Sequence, residues 1–160
     1  MKSTVAIYDS HWTSLDAIER LKDNSYPINQ LSIMGQAKIV DDPVNNKSKK
    51  PLKKVHSGLI LGSTLGVLPG VGIFSVPGFG YVFGAGAIKK ELAGYVIGFI
   101  GDGIVSIFKK IGINNAKVDK YSKYLKEGNF LVIAQGNDEE VKKAKDILSK
   151  SGKNIEVSIN

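Results

Sequence analysis

Hydrophobic and polar positions follow the same order at both ends of this chain. At the N-terminal end, the apolar run Val5-Ala6-Ile7-Tyr8 comes first, Leu15, Ile18 and Leu21 follow at helical spacing, and a second apolar run begins at Leu31. Short apolar runs rich in β-branched residues predict strands, and an apolar residue at every third or fourth position predicts a helix. The N-terminal part is therefore predicted to be one strand–helix–strand unit.

The C-terminal part repeats this order. A strand is predicted at 130–133, a helix capped by Asn137 or Asp138 follows, and a strand at 155–159 ends the unit. One face of the helix carries Val141, Ala144, Ile147 and Leu148. A constant offset aligns the two units, so that Leu21 matches Ile147. Two such halves predict an α+β fold, the ferredoxin-like βαββαβ sandwich, with four antiparallel strands and two helices on one face.

The segment between the two halves is far longer than an ordinary loop. The sequence therefore divides into four parts. We predict that 1–40 is the first βαβ half, 41–56 a basic linker, 57–113 a glycine-rich hydrophobic helical hairpin insertion, and 114–160 a helix plus the second βαβ half. The helix in the last part is predicted from the spacing of Val118, Tyr121 and Leu125.

Glycines recur four positions apart within the insertion. Residues four apart lie on one face of a helix, and small residues there let a second helix approach closely. Because Pro69 and Pro77 interrupt the segment, we expect a helical hairpin with arms at about 57–68 and 78–88 that self-associates as a glycine zipper. The predicted zipper residues are Gly58, Gly62, Gly66, Gly70, Gly80, Gly84, Gly94 and Gly98.

The surroundings of the insertion are the main functional question. No charged residue occurs from Gly58 to Ala87, and lysines flank the apolar segments. A bilayer, the interior of a soluble oligomer and a compact monomer with a strand-rich core all remain open. In the membrane reading, anionic lipid is contacted by Lys49, Lys50, Lys53, Lys54, Lys89, Lys90, Lys109 and Lys110. Asp102 is the single acid between Glu91 and Asp119, and it is either a candidate pore or polar site or part of a solvated turn.

Candidate chemistry is sparse. The chain has no cysteine, which excludes disulfides, thiolate metal sites and cysteine nucleophiles. His11 and His56 are far apart, and His11, at a helix start, is expected to be a surface or capping residue. No metal site, cofactor site or catalytic motif is predicted, so we expect a non-enzymatic protein. The net charge of +7 is concentrated just before the apolar segment, which favours a membrane surface over nucleic acid.

Several stretches resemble a bacterial general-stress family, the heat-induced stress proteins with a YflT-like domain. These stretches are YDSH near the start, VPGFG in the insertion and KYLKEGNFLVIAQG near the end. The resemblance implies a stress-related or envelope-maintenance role without catalysis, and it supplies no catalytic residues. The expected location is the cytoplasmic face of the cytoplasmic membrane, as a homo-oligomer; the alternative is a soluble cytoplasmic oligomer. The rival functions are a pore-forming glycine-zipper protein and a soluble oligomeric module that senses an unknown small ligand.

Overall fold

The computed structural model describes residues 1–38, 55–56, 67–76, 78–88 and 103–160. These residues form an α+β fold in which a six-stranded antiparallel sheet packs against four α-helices. The strands are β1 (Lys2–Tyr8), β2 (Leu31–Lys38), β3 (Val55–His56), β4 (Gly72–Val76), β5 (Gly80–Gly86), β6 (Phe130–Gly136) and β7 (Glu156–Ile159). The helices are α1 (His11–Asp23), α2 (Gly103–Lys110), α3 (Val118–Lys126) and α4 (Asp138–Ser149). The two-residue β3 pairs with β2 in parallel, outside the six-stranded sheet order.

The six strands run in the order β4-β5-β2-β6-β1-β7. Each neighbouring pair is antiparallel, so β1 and β2 are parallel to each other with β6 between them. In the same way, β6 and β7 are parallel with β1 between them. The strand–helix–strand units predicted at the two ends of the chain are confirmed, and they interleave in one sheet.

Helices cover both faces of the sheet: α1 and α4, the two helices of the predicted sandwich, share one face, and α2 and α3 cover the other. One apolar cluster joins the sheet to α1 and α4 through Leu15, Ile18 and Leu148. The opposite cluster joins it to α2 and α3 through Phe108 and Tyr121. The physical reason lies in the central strands: β1 and β6 are apolar at successive positions, so both of their faces must be removed from water.

The predicted helical return arm at about 78–88 is wrong, because 80–86 is a strand. This strand, β5, forms a hairpin with β4, in which Ile73 pairs with Phe83 and Phe74 with Val82. Large apolar residues alternate between the two sheet faces along both strands, which is the period of a strand. Gly78 turns the chain at φ 80°, a conformation open to glycine without strain. Of the proposed zipper residues, Gly80 and Gly84 therefore lie on a strand, and Gly70 precedes the hairpin.

His11 is buried, which corrects its expected place on the surface. Its side chain is 4% exposed and lies among aromatic rings, with centroids 5.8 Å from Phe83 and 5.7 Å from Phe130. Gly35 leaves room for this cluster, because a Cβ atom there would lie 2.5 Å from Cδ1 of Phe130. Burial lowers the pKa of His11 to about 4, so the imidazole is neutral at physiological pH.

Candidate anionic-surface interface

The layer formed by α2 and α3 is amphipathic in both helices. In α2, Ile104, Ile107 and Phe108 are buried against the sheet, and Lys109 and Lys110 end the helix on its exposed side. This spacing of three and four positions gives one apolar stripe. Lysines in the last turn also complement the negative end of the helix dipole. The sequence of α2 thus fixes one face to the core and leaves its charge in solvent.

Helix α3 is held in the same way. Val118, Tyr121 and Leu125 are buried, as the sequence predicted, and the Tyr121 ring meets Phe108 of α2 edge-on at 6.4 Å. The Tyr121 hydroxyl lies 2.6 Å from Oγ of Ser158 in β7. Tyr121 therefore links α2, α3 and the edge strand, and it fixes the orientation of the lysines on the outer face of α3.

Charge differs sharply between the two helical layers. Helices α2 and α3 together carry five lysines and one acid, which leaves a net charge of +4. Helices α1 and α4 carry five basic and seven acidic residues, which leaves −2. The described helices thus give the molecule one basic and one weakly acidic side. We call the α2–α3 side the basic layer.

The lysines of the basic layer differ in their partners. Lys120 pairs with Glu156, and the hydrogen bond to that carboxylate raises the pKa of Lys120. Nζ of Lys126 lies 5.0 Å from the centre of the Phe79 ring, within cation–π range. Lys109 and Lys123 are exposed, and neither side chain makes a hydrogen bond or ion pair with a described residue. These two lysines are the ones most available to an outside anion.

An apolar side chain accompanies the charge on α2. Val105 is 43% exposed, and it lines a shallow depression of about 350 Å³ together with Ser106, Lys109 and Lys110. Val105 is thus an exposed apolar side chain next to the two lysines of α2.

The structure describes only part of the site predicted from sequence. Lys109 and Lys110 lie together on α2, in the basic layer. The other predicted lipid contacts, Lys49, Lys50, Lys53, Lys54, Lys89 and Lys90, lie outside the described residues, as do Gly58, Gly62, Gly66, Gly94, Gly98 and Asp102. Among the described residues, no helix has both the length and the apolar character needed to cross a membrane.

Four lysines of this layer escaped the sequence analysis. They occur at every third position just before and within α3, and they are Lys117, Lys120, Lys123 and Lys126. Residues three apart are neighbours on a helix surface. The three-residue spacing of these lysines is visible in the sequence. Only lysines that flank apolar segments were predicted as lipid contacts, and these lysines belong to an amphipathic helix.

Comparisons with known proteins add no assignment: no protein-family model matches the chain, and neither the curated proteins nor the solved structures contain a match.

Proposed function

We propose that this protein is a non-catalytic, membrane-surface protein that docks on anionic lipid through the basic layer. The cytoplasmic face of the cytoplasmic membrane is the site of action in this proposal. The role in stress or envelope maintenance rests on the YDSH, VPGFG and KYLKEGNFLVIAQG resemblance. We further propose that β1, α1, β2, β6, α4 and β7 form a ferredoxin-like unit, which the interleaved order of their strands supports.

The observation that carries the proposal is the charge difference between the two helical layers. A protein with uniformly distributed charge has no preferred side toward an anionic surface, whereas +4 on one helical layer and −2 on the other orients the molecule. Each lysine near such a surface contributes on the order of 1 kcal/mol to binding at ordinary ionic strength. Several lysines together therefore suffice for a reversible peripheral attachment.

Lipid is favoured over nucleic acid by the kind of cation in this layer. All the basic residues of α2 and α3 are lysines, and the one arginine of the chain, Arg20, lies in α1. Arginine is the residue that grips phosphate bidentately, whereas lysine acts as a strongly hydrated point charge. The exposed Val105 beside Lys109 also suits an interface with acyl chains better than a groove of a duplex.

Vesicle co-sedimentation tests the proposal. The protein should bind vesicles that contain phosphatidylglycerol and should not bind vesicles of phosphatidylcholine alone, and salt should weaken the binding. The double variant Lys109→Gln/Lys123→Gln should lose about 30-fold in affinity, because two lysine–surface interactions disappear.

The matched control removes the same charge from the opposite layer. Lys142 and Lys145 are exposed on α4, and Lys142→Gln/Lys145→Gln leaves the basic layer intact. This variant should bind within about threefold of the wild type, because distant charges are screened. Equal losses of affinity in both variants would mean that net charge alone, and not the basic layer, determines binding. Tighter binding to duplex DNA than to vesicles would mean that the partner is nucleic acid.

Self-association is the second part of the proposal. Gly80 and Gly84 lie in a strand and therefore cannot belong to a helical zipper. The proposed zipper consists of the glycines outside the described residues, Gly58, Gly62, Gly66, Gly94 and Gly98. In this mechanism the zipper glycines join copies of the chain, and each copy adds a basic layer to the same surface. Multivalent attachment then strengthens binding beyond that of one protomer.

A further inference from the structure

A second cavity lies on a different part of the molecule, at the end of β6. It has a volume of about 510 Å³, within the range of small-molecule sites. The three-residue turn Ile28–Gln30 and the start of α4 bound it. Its lining is rich in carboxamides, with Asn29, Gln30, Gln135 and Asn137, and no lysine or arginine is among the described residues that line it.

The start of α4 is not available to an anion. Oδ1 of Asn137 accepts the backbone N–H groups of Glu139 and Glu140, at 3.0 and 2.9 Å. Oε2 of Glu140 accepts the N–H of Asn137 at 2.8 Å, which completes a capping box. Helix N-termini bind anions through such free N–H groups, and here the chain itself uses them. Three acids lie in the first turn, and one of them, Asp138, pairs with Lys2.

Hydrogen-bond acceptors remain unused around the same cavity. Oε1 of Gln30 is buried and has no hydrogen-bond partner among the described residues. Gln135 is 7% exposed, and its side chain makes no hydrogen bond to a described residue. The second carboxylate oxygen of Glu140, Oε1, is also without a described donor. A buried acceptor without a donor is costly, and of these three oxygens this holds for Oε1 of Gln30; a ligand that brings N–H groups would supply donors.

The charge of Glu140 reaches into this region. The pKa of Tyr26 is raised to about 12, mainly by burial and to a smaller extent by the negative charge of Glu140. The Tyr26 hydroxyl donates to the backbone oxygen of Gln135 at 2.9 Å, so it is itself occupied. The cavity is thus placed beside a carboxylate, and Met1 with its α-ammonium group also belongs to its lining.

We propose that this cavity binds a small organic cation with a primary ammonium group, through Glu140, Gln30 and Gln135. An ammonium group offers three donors and no acceptor, which matches a carboxylate oxygen and two carboxamide oxygens. A short aliphatic amine fits within the volume. The proposal is independent of the basic layer, since none of the lining residues belongs to α2 or α3.

Titration calorimetry and amide chemical shifts of the full chain test this site. The probes are putrescine, the uncharged diol of the same chain length, and succinate. Putrescine should bind saturably and shift the amide signals of 29–30 and 135–140, and the diol and succinate should not. Preferred binding of succinate, absence of putrescine binding at millimolar concentration, or shifts confined to other residues would each overturn the proposal.

Two neighbouring acids give a matched pair of variants. Glu140→Gln removes the carboxylate but keeps an oxygen for the N–H of Asn137, and it should weaken putrescine binding about tenfold or more. Glu139→Gln removes the same charge from an exposed position outside the lining, and it should change affinity less than about threefold. Gln135→Leu keeps the side-chain size without the acceptor and should weaken binding as well. Equal effects of the two acid variants would contradict a specific role for Glu140.

Discussion

The buried imidazole of His11 makes the stability of this protein depend on pH in a defined window. Its pKa is about 4 in the folded state and about 6.5 when the chain is unfolded. Between these values the unfolded state binds more protons, so the free energy of unfolding falls as the pH falls. Because the folded pKa is the lower one, the stabilisation is complete above about pH 6.5 and is lost on acidification.

The expected size follows from the same two pKa values. Relative to neutral pH, His11 lowers the free energy of unfolding by about 2 kcal/mol near pH ~5 and by about 3 kcal/mol near pH ~4. Such a change is a large fraction of the stability of an ordinary domain. The physical cause is the cost of placing an imidazolium among the Phe83 and Phe130 rings, away from water.

Urea unfolding at a series of pH values measures this effect, with Trp12, the single tryptophan, as the fluorescent reporter. His11→Phe keeps an aromatic ring but removes the titration, so the wild-type curve should approach or fall below the variant's as the pH drops. Asp138, whose pKa is lowered chiefly by its hydrogen bond to Lys2, contributes equally to both proteins and cancels. Parallel curves for the two proteins from neutral pH to pH ~4 would refute the reasoning.

Two further predictions concern glycines. Gly35→Ala should lower the free energy of unfolding by about 1–3 kcal/mol in urea titration, because its Cβ would overlap the Phe83 and Phe130 rings; an unchanged midpoint would mean that the rings move aside without cost. Gly62→Leu/Gly66→Leu should disrupt assembly in analytical ultracentrifugation, because leucine prevents close helix approach, and an unaltered oligomer size would contradict the zipper.

Local periodicity explains which parts of the fold could be predicted. In five elements the spacing of the apolar residues fits either a strand or a helix but not both, and each element lies where it was predicted. These elements are β1, β6, α1, α3 and α4. Asn137 is the cap of α4, one of the two caps that the sequence allowed, and Glu140, three positions on, completes a capping box with it.

The β4–β5 hairpin was missed for a geometric reason. Residues four apart share one face of a helix, but they also share one face of a strand, because four is a multiple of the strand period of two. Gly80 and Gly84 therefore fit both structures. The alternation of Ile73 and Phe74, matched by Phe83 and Val82, was the feature that separates them.

The burial of His11 could not be predicted from its neighbours. Asp9, Ser10 and Thr13 near it in sequence are polar, and apart from the adjacent Trp12 its aromatic contacts come from β5 and β6, far along the chain. The basic layer is also a tertiary feature: α2 and α3 acquire a common side only when both pack on one face of the sheet. The lysines of both helices can be read from the sequence, but the position of these helices on the sheet face opposite α1 and α4 cannot.

The absence of cysteine permits a direct test of which side meets the membrane. Val105→Cys on α2 and Lys145→Cys on α4 each give a single thiol for an environment-sensitive fluorophore. On addition of vesicles with phosphatidylglycerol, docking through the basic layer should give a blue shift for the label at 105 and none for the label at 145. A shift at 145 alone, or equal shifts at both positions, would contradict docking through the basic layer.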